Sequence, residues 1–200
     1  MELVLVWPLV LCVARRPLPG QEKGQVGQVE PRHTWTQHAL SITGIHVGHG
    51  VAHGTRVLTS SLDMTVKLFS VKTGHLLLSV SFTVPITAVT MDNMETTVYA
   101  GSNNGDIHTF SLLSPPRDVA VTADRMSGLG TWSSHKDAIT KLSLSMDACT
   151  LASGGQDSNV NLWDTPSGQI IRSLQHKSKV THVQFIGTPP ALINKDLWNT

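Results

Sequence analysis

The chain has 200 residues, of which 40% are hydrophobic and 14% charged, enough apolar material for a packed core and too little charge for a disordered chain. Its 15 Lys plus Arg nearly balance 14 Asp plus Glu, for a formal net charge of +1, and no basic run marks a dedicated nucleic-acid surface. Two isolated cysteines, Cys12 and Cys149, form neither a disulfide framework nor a metal pattern, and that usage suits a reducing compartment.

The start, Met1 to Val13, is apolar but carries Glu2 where a signal peptide carries positive charge, and Pro8 interrupts it. It is also too short to span a membrane as a helix. Residues 11–32 are rich in Pro and Gly and read as an insert. Four related segments follow: His38-Ala-Leu-Ser-Ile-Thr43, Phe82-Thr-Val-Pro-Ile-Thr87, His135-Lys-Asp-Ala-Ile-Thr140 and His176-Lys-Ser-Lys-Val-Thr181. They begin 44, 53 and 41 residues apart, and each carries Ile or Val fifth and Thr sixth.

Between them a second anchor repeats: Asp63 to Phe69, Asn104 to Phe110 and Asp157 to Trp163 each place a small polar residue six positions before an aromatic one. A third aligns Ser70 to Gly74 with Asp164 to Gly168, and a fourth aligns Thr34-Trp35 with Thr131-Trp132. Each unit is a series of short β-branched or alternating runs separated by Gly, Asp, Asn and Ser turns, which predicts strands. Thr150 to Gly154, Val160 to Asp164, Ile170 to Leu174 and Val180 to Phe185 are consecutive candidates.

A period near 41 to 44 residues, closed by Trp163-Asp164, resembles the WD repeat. The expected fold is therefore all-β: an incomplete WD-repeat β-propeller with about three full blades plus partial ends, each blade a four-stranded antiparallel sheet. Val4 to Trp7 aligns without a gap on Val160 to Trp163, so residues 1–10 read as the end of a truncated blade, with Val4 to Trp7 its third strand. Residues 33–185 form the propeller region, and 186–200, after the break at Gly187-Thr-Pro-Pro190, a divergent tail.

The third unit brings His135, Ser153, Asp157 and Trp163 into one register, a set that invites comparison with a hydrolase triad. No G-x-S-x-G elbow surrounds Ser153. In WD repeats such residues form a buried chain in which indole donates to serine, serine to imidazole and imidazole to carboxylate, and the resemblance implies a structural hydrogen-bond network. The first unit carries the related set His38, Thr59 and Asp63, with Phe69 in place of the tryptophan. The second has Phe82, Ala100, Asn104 and Phe110, so packing has to replace the network. No catalytic residue, cofactor or small-molecule substrate is expected.

His46, His49 and His53 share one Gly-rich loop with no carboxylate or thiolate, which reads as a long polar turn rather than a zinc site. That loop joins strands one and two of a blade. The insert 11–32 and a second one at 114–129 join strands three and four. All three then emerge on one face, the expected contact surface for partners. Shortening 114–129 is expected to leave folding nearly intact, because surface loop length has a small entropic effect.

From Pro31 to about Phe185 the chain resembles the WD repeat-containing protein 18 family. The segments that carry the likeness are His38 to Thr43, Thr59 to Asp63 with Thr65 to Leu68, Leu76 to Val80 and Ala88 to Asp92, with Leu3 to Trp7 also in register. The resemblance implies a nuclear and nucleolar scaffold in a Rix-type pre-ribosomal complex that matures the large ribosomal subunit. It implies protein partners, RNA contact only through them, and no membrane. A generic propeller adaptor in a chromatin, DNA-replication or ubiquitin-ligase assembly, a hydrolase using Ser153 and a secreted propeller are the competing readings.

Overall fold

The computed structural model describes residues 2–7, 10–15, 31–48, 54–114, 116–133 and 135–187. Their regular structure is strand, apart from one 3-10 turn at Ala123–Arg125. A first sheet holds β1 (Glu2–Trp7), β2 (Val10–Arg15) and β3 (Pro31–Trp35) in that spatial order. A second runs through β4 (Ile42–Val47), β5 (Arg56–Ser61), β6 (Thr65–Ser70) and β7 (Leu76–Ser81), with β11 (Ala120–Thr122) added at the β7 edge. The third holds β8 (Ile86–Met91), β9 (Thr97–Ser102), β10 (Asp106–Ser111) and β12 (Gly130–Ser133); the fourth, β13 (Ile139–Leu144), β14 (Thr150–Gly155), β15 (Asn159–Asp164) and β16 (Gln169–Gln175). Within the last three sheets consecutive strands pair antiparallel, as hairpin-linked blades do.

The turns show why these strands end where they do. In the turn from the second to the third strand of each complete blade, one residue takes a left-handed conformation: Met64 at φ 63°, Gly105 at 91° and Ser158 at 66°. The preceding Asp63 and Asp157 carboxylates accept from the backbone N–H of Thr65 (3.0 Å) and Asn159 (3.1 Å), closing the turn with a side chain. Only at the third blade is glycine required, since a Cβ on Gly105 would lie 2.3 Å from the His135 carbonyl oxygen.

The core lies between blades rather than within them. Trp35 packs with Val57, Phe69 and Val71. Leu58, Leu68 and Val80 pack with Ile86, Val98 and Phe110. Tyr99 and Ile107 pack with Ile139, Leu151 and Trp163. The repeated tryptophans and the repeated turn glycines meet across two of these seams. The Trp35 indole N–H donates to the Gly74 carbonyl at 2.7 Å, and a Cβ on Gly168 would come within 2.6 Å of the Trp132 indole nitrogen.

Three expectations are corrected. Residues 11–32 are not wholly an insert, because β2 takes up 11–15 and β3 begins at Pro31. The run Val10-Leu-Cys-Val-Ala is apolar enough to ladder against Leu3–Trp7, so Val4–Trp7 is not next to Pro31–Trp35 but separated from it by β2. Residues 16–30, Met1 and 188–200 lie outside the described residues, as does the break at Thr188-Pro-Pro190.

Second, Val180 to Phe185 forms no strand. It lies against the fourth blade through the Val180 N–H to Gly155 carbonyl bond (3.1 Å) and the Phe185 N–H to Ser143 Oγ bond (2.9 Å), and among the described residues no strand ladders on its far side.

Third, residues 114–129 are not a free loop. Ala120–Thr122 pairs in parallel with Ser79–Ser81 of the neighbouring blade, and Val121, Ala123 and Met126 are buried in the core shared by the second and third blades. The alternating apolar residues Val119, Val121 and Ala123 supply a strand face, and covering the β7 edge satisfies its backbone groups.

Candidate functional site

In the fourth blade, His135 comes from the loop before β13, Ser153 from β14, Asp157 from the following turn and Trp163 from β15. The Trp163 indole N–H donates to Ser153 Oγ at 2.8 Å, and Ser153 Oγ lies 2.7 Å from His135 Nε2. Asn161 Nδ2 approaches the same His135 nitrogen at 3.2 Å. Two donors on Nε2 make it the acceptor, so the proton sits on Nδ1 and is donated to Asp157 Oδ1 at 3.0 Å. The Lys136 backbone N–H also donates to Asp157 Oδ2 at 3.1 Å. Ser153 is 0% exposed and His135 is buried, so the hydroxyl faces protein on every side.

The second blade repeats this order. His38 Nδ1 bonds Asp63 Oδ2 at 2.9 Å and Nε2 lies 2.7 Å from Thr59 Oγ1, while the Ala39 N–H donates to Asp63. Phe69 stands at the tryptophan position, so no indole donor reaches Thr59, whose hydroxyl has the Lys67 carbonyl at 3.4 Å. The third blade has another arrangement. Asn104 Nδ2 donates to Asp106 Oδ2 at 2.7 Å, Ser102 Oγ donates to Asn104 Oδ1, and the Phe82 ring packs at 5.3 Å from His108 and 6.2 Å from Phe110.

Three ionisable groups of these chains, His38, Asp63 and Asp157, are shifted toward the unprotonated state. Burial holds His38 below its ordinary value of 6.5, against an upward pull from the Asp63 hydrogen bond and charge. For Asp63 burial acts upward, but hydrogen bonds from Thr65, His38 and the Ala39 backbone outweigh it and hold the carboxyl low. Burial likewise acts upward on Asp157 and is outweighed by hydrogen bonds from His135, Lys136 and Asn159. All three folded values are depressed, so the folded chain binds fewer protons than the unfolded one as pH falls. The stability they contribute is present above their ordinary values and is lost on acidification, first below about 6.5 through His38 and then below about 3.8 through the aspartates. Thermal melts between pH 7.5 and 4 are expected to show a monotonic fall in Tm. A Tm that rises over that range contradicts the assignment.

Other features carry no signal in the repeat anchors. Inner strands β4, β8 and β13 and residues 182–185 line a cavity of about 440 Å³ that includes Ile45, Thr90, Lys141, Met146 and His182. At the same end of the blades, the Arg56 guanidinium Nε lies 3.5 Å from Glu95 Oε2, an ion pair whose carboxylate is buried. His46 Nδ1 is 3.3 Å from Thr90 Oγ1; His49 and His53 lie outside the described residues. Among the described residues no group of three His, Cys, Asp or Glu gathers as a metal cluster, and no helix is long and apolar enough to cross a membrane.

The family model for the WD domain, G-beta repeat, matches residues 127–164, which run from the outer strand of the third blade to the third strand of the fourth. The chain is 40% identical over 168 residues to WD repeat-containing protein 18 of Mus musculus, covering 83% of this chain and 38% of that protein. It is 39% identical over 196 residues to the Homo sapiens protein of the same name, covering 97% and 43%. The chain belongs to the WD repeat-containing protein 18 family. A more distant relative, Pre-rRNA-processing protein IPI3 of Yarrowia lipolytica, is 34% identical over 171 residues, covering 80% of this chain and 40% of that protein. The chain thus spans about two fifths of the length of these family members.

Proposed function

We propose that this chain is a non-catalytic protein-interaction scaffold in pre-rRNA processing and large-ribosomal-subunit maturation, working within a nuclear, nucleolar complex of the Rix type. The observation that carries the reading is the alignment of four fifths of the chain with a pre-rRNA-processing protein, together with stronger alignment to WD repeat-containing protein 18. The chemistry of the blades agrees. Ser153 and Thr59 are each 0% exposed, and each hydroxyl is occupied by a histidine from its own blade. A nucleophile needs an open approach for substrate. The hydrogen-bond chains therefore act to pin loop, second strand, turn and third strand of a blade together, which keeps the binding platform rigid.

The contact surface of this reading is the end of the blades that carries the turns β8–β9 and β13–β14 and the start of the 112–129 segment. Three large apolar side chains are open to solvent there: Met94 at 66%, Met146 at 81% and Leu113 at 74%. Asn93 Nδ2 donates to the Met146 carbonyl at 2.7 Å and ties the two turns together. Exposed apolar residues held on a rigid frame are a common form of docking site.

The test is affinity capture from nuclear extract with the full-length protein, unaltered and as M94E/M146E, scored by mass spectrometry and by a blot of rRNA precursors. The unaltered protein is expected to recover ribosome-maturation proteins and the double variant to lose them while melting at the same temperature. Recovery of chromatin or ubiquitin-ligase components instead of ribosome-maturation factors overturns the functional reading. Unchanged recovery by the double variant moves the contact to another surface.

A further inference from the structure

The threonine that ends each first-strand anchor has no part in the histidine chains, yet it recurs in one geometry. Thr43 Oγ1 donates to the Ile86 carbonyl at 2.6 Å, Thr87 Oγ1 to the Ile139 carbonyl at 2.5 Å, and Thr140 Oγ1 to the Val180 carbonyl at 2.7 Å. The first two bonds cross from one inner strand to the next and the third from β13 to the segment after β16, and each acceptor is the residue immediately before the next threonine in the series. Every one of these threonines sits at a register break: Ile42/Gly44, Ile86/Ala88 and Ile139/Lys141. A β-bulge leaves its extra residue outside the ladder and re-aims its side chain. Here it turns a hydroxyl toward the neighbouring segment, where the carbonyl of the residue before the next threonine accepts it.

Packing at the same register makes room for this contact. Two of the accepting residues, Ile139 and Val180, lie on a glycine of the preceding blade's second strand. A Cβ on Gly101 would lie 2.7 Å from Ile139 Cγ2, and one on Gly154 would lie 2.8 Å from Val180 Cγ1. Ser60 holds the corresponding place in the second blade, with its Oγ 3.1 Å from Thr43 Oγ1. Ile86 and Ile139 are fully buried.

We propose that the bulged Ile/Val-Thr pair and the small residue beneath it form an inter-blade clasp, used three times, and that its third copy straps residues 176–187 onto the fourth blade. The strap has few other holds. Its backbone joins the blade through the N–H groups of His176, Val180 and Phe185, and it carries no strand ladder. Beside the Ser143 hydroxyl that accepts from Phe185, the clasp at Thr140 is the side-chain contact that decides whether the strap is docked or open.

Limited trypsin digestion of the 200-residue chain reads this directly. Lys177 and Lys179 lie in the strap, and Lys72, in an exposed turn of the second blade, serves as the internal reference. The T140V variant keeps the shape and loses the donor. It is expected to raise cleavage at Lys177 and Lys179 about three- to tenfold relative to Lys72, the size of one net hydrogen bond read through the open population. T140S keeps the hydroxyl and is expected to cut like the unaltered chain. G154A keeps Thr140 but pushes Val180 off its seat, and is expected to cut like T140V. Equal cleavage in T140V and the unaltered chain, equal acceleration by T140S and T140V, or a parallel rise at Lys72 each overturns the clasp.

Discussion

Replacing residues 114–127 with a tight turn is expected to unfold the protein or to lower its stability by about 5 kcal/mol or more. Met126 and Val121 are buried between blades, and removal of buried side chains of this size costs roughly 2–5 kcal/mol for Met and about 1.5–3 kcal/mol for Val. The parallel ladder from Ala120–Thr122 to Ser79–Ser81 is lost with them, together with the Val119 carbonyl that accepts from the Ser79 N–H at 2.7 Å. Total stabilities of single domains are about 5–15 kcal/mol, so the loss is comparable to the whole. The favourable entropy of a shorter loop, near 0.6 kcal/mol per halving, is much too small to offset it. Urea denaturation followed by far-ultraviolet circular dichroism decides the matter, with M126A as a milder companion expected to lower the midpoint clearly. Exposed Arg117 and Asp118 provide the control, where substitutions to Ala are expected to stay within about 0.5 kcal/mol. A shortened chain that keeps the original urea midpoint means the strand is an ornament on the blade.

This segment also shows where sequence reading stops. The all-β architecture is legible because a blade is a local object: strands of six residues, turns with Asp or Asn immediately before the left-handed residue, and spacing that repeats. Asp63 and Asp157 announce their turns by residue type alone. The 112–129 segment has no counterpart elsewhere in the chain, so repeat alignment leaves it over and its prolines and glycines read as a loop. Its alternation of Val119, Val121 and Ala123 is a strand signal, but three residues are too few to name a partner, and a parallel partner 41 residues earlier in the chain is fixed only by tertiary packing. The strap is the opposite case. Val180 to Phe185 has the composition of an inner strand and forms none, because a strand needs a neighbour and the ladder is not a property of the segment itself.

The residue types that meet around His135 stand at repeat anchors and are readable for that reason. The clasp threonines are as regular, but their use depends on bulges, which are a matter of register and cannot be read from spacing.

The second large effect is expected in the histidine chains, where the three blades differ in what a deletion strands. S153A removes one hydroxyl, strands the Trp163 indole N–H, an obligate donor, and leaves His135 Nε2 only the Asn161 amide at 3.2 Å. T59A in the second blade strands only His38 Nε2, since Phe69 has no donor to lose. An unsatisfied buried polar group costs about 1–3 kcal/mol. S153A is therefore expected to destabilise by about 2–4 kcal/mol and T59A by about half as much, with N104A in the third blade lower again because Asn104 is exposed and bonds within its own turn. H135A and D157A are each expected to cost about 1–3 kcal/mol, and the double variant distinctly less than their sum, because both remove the same bond. Equal losses for S153A, T59A and N104A would mean that the chains are incidental and that strand packing alone holds each blade. Replacing Trp163 with Phe sharpens the comparison. It copies the second blade's chemistry into the fourth while keeping most of the ring that stacks 5.5 Å from Trp132. If the chain matters as a chain, W163F lowers the cost of a subsequent S153A to that of T59A, since the stranded indole donor is gone before the serine is removed.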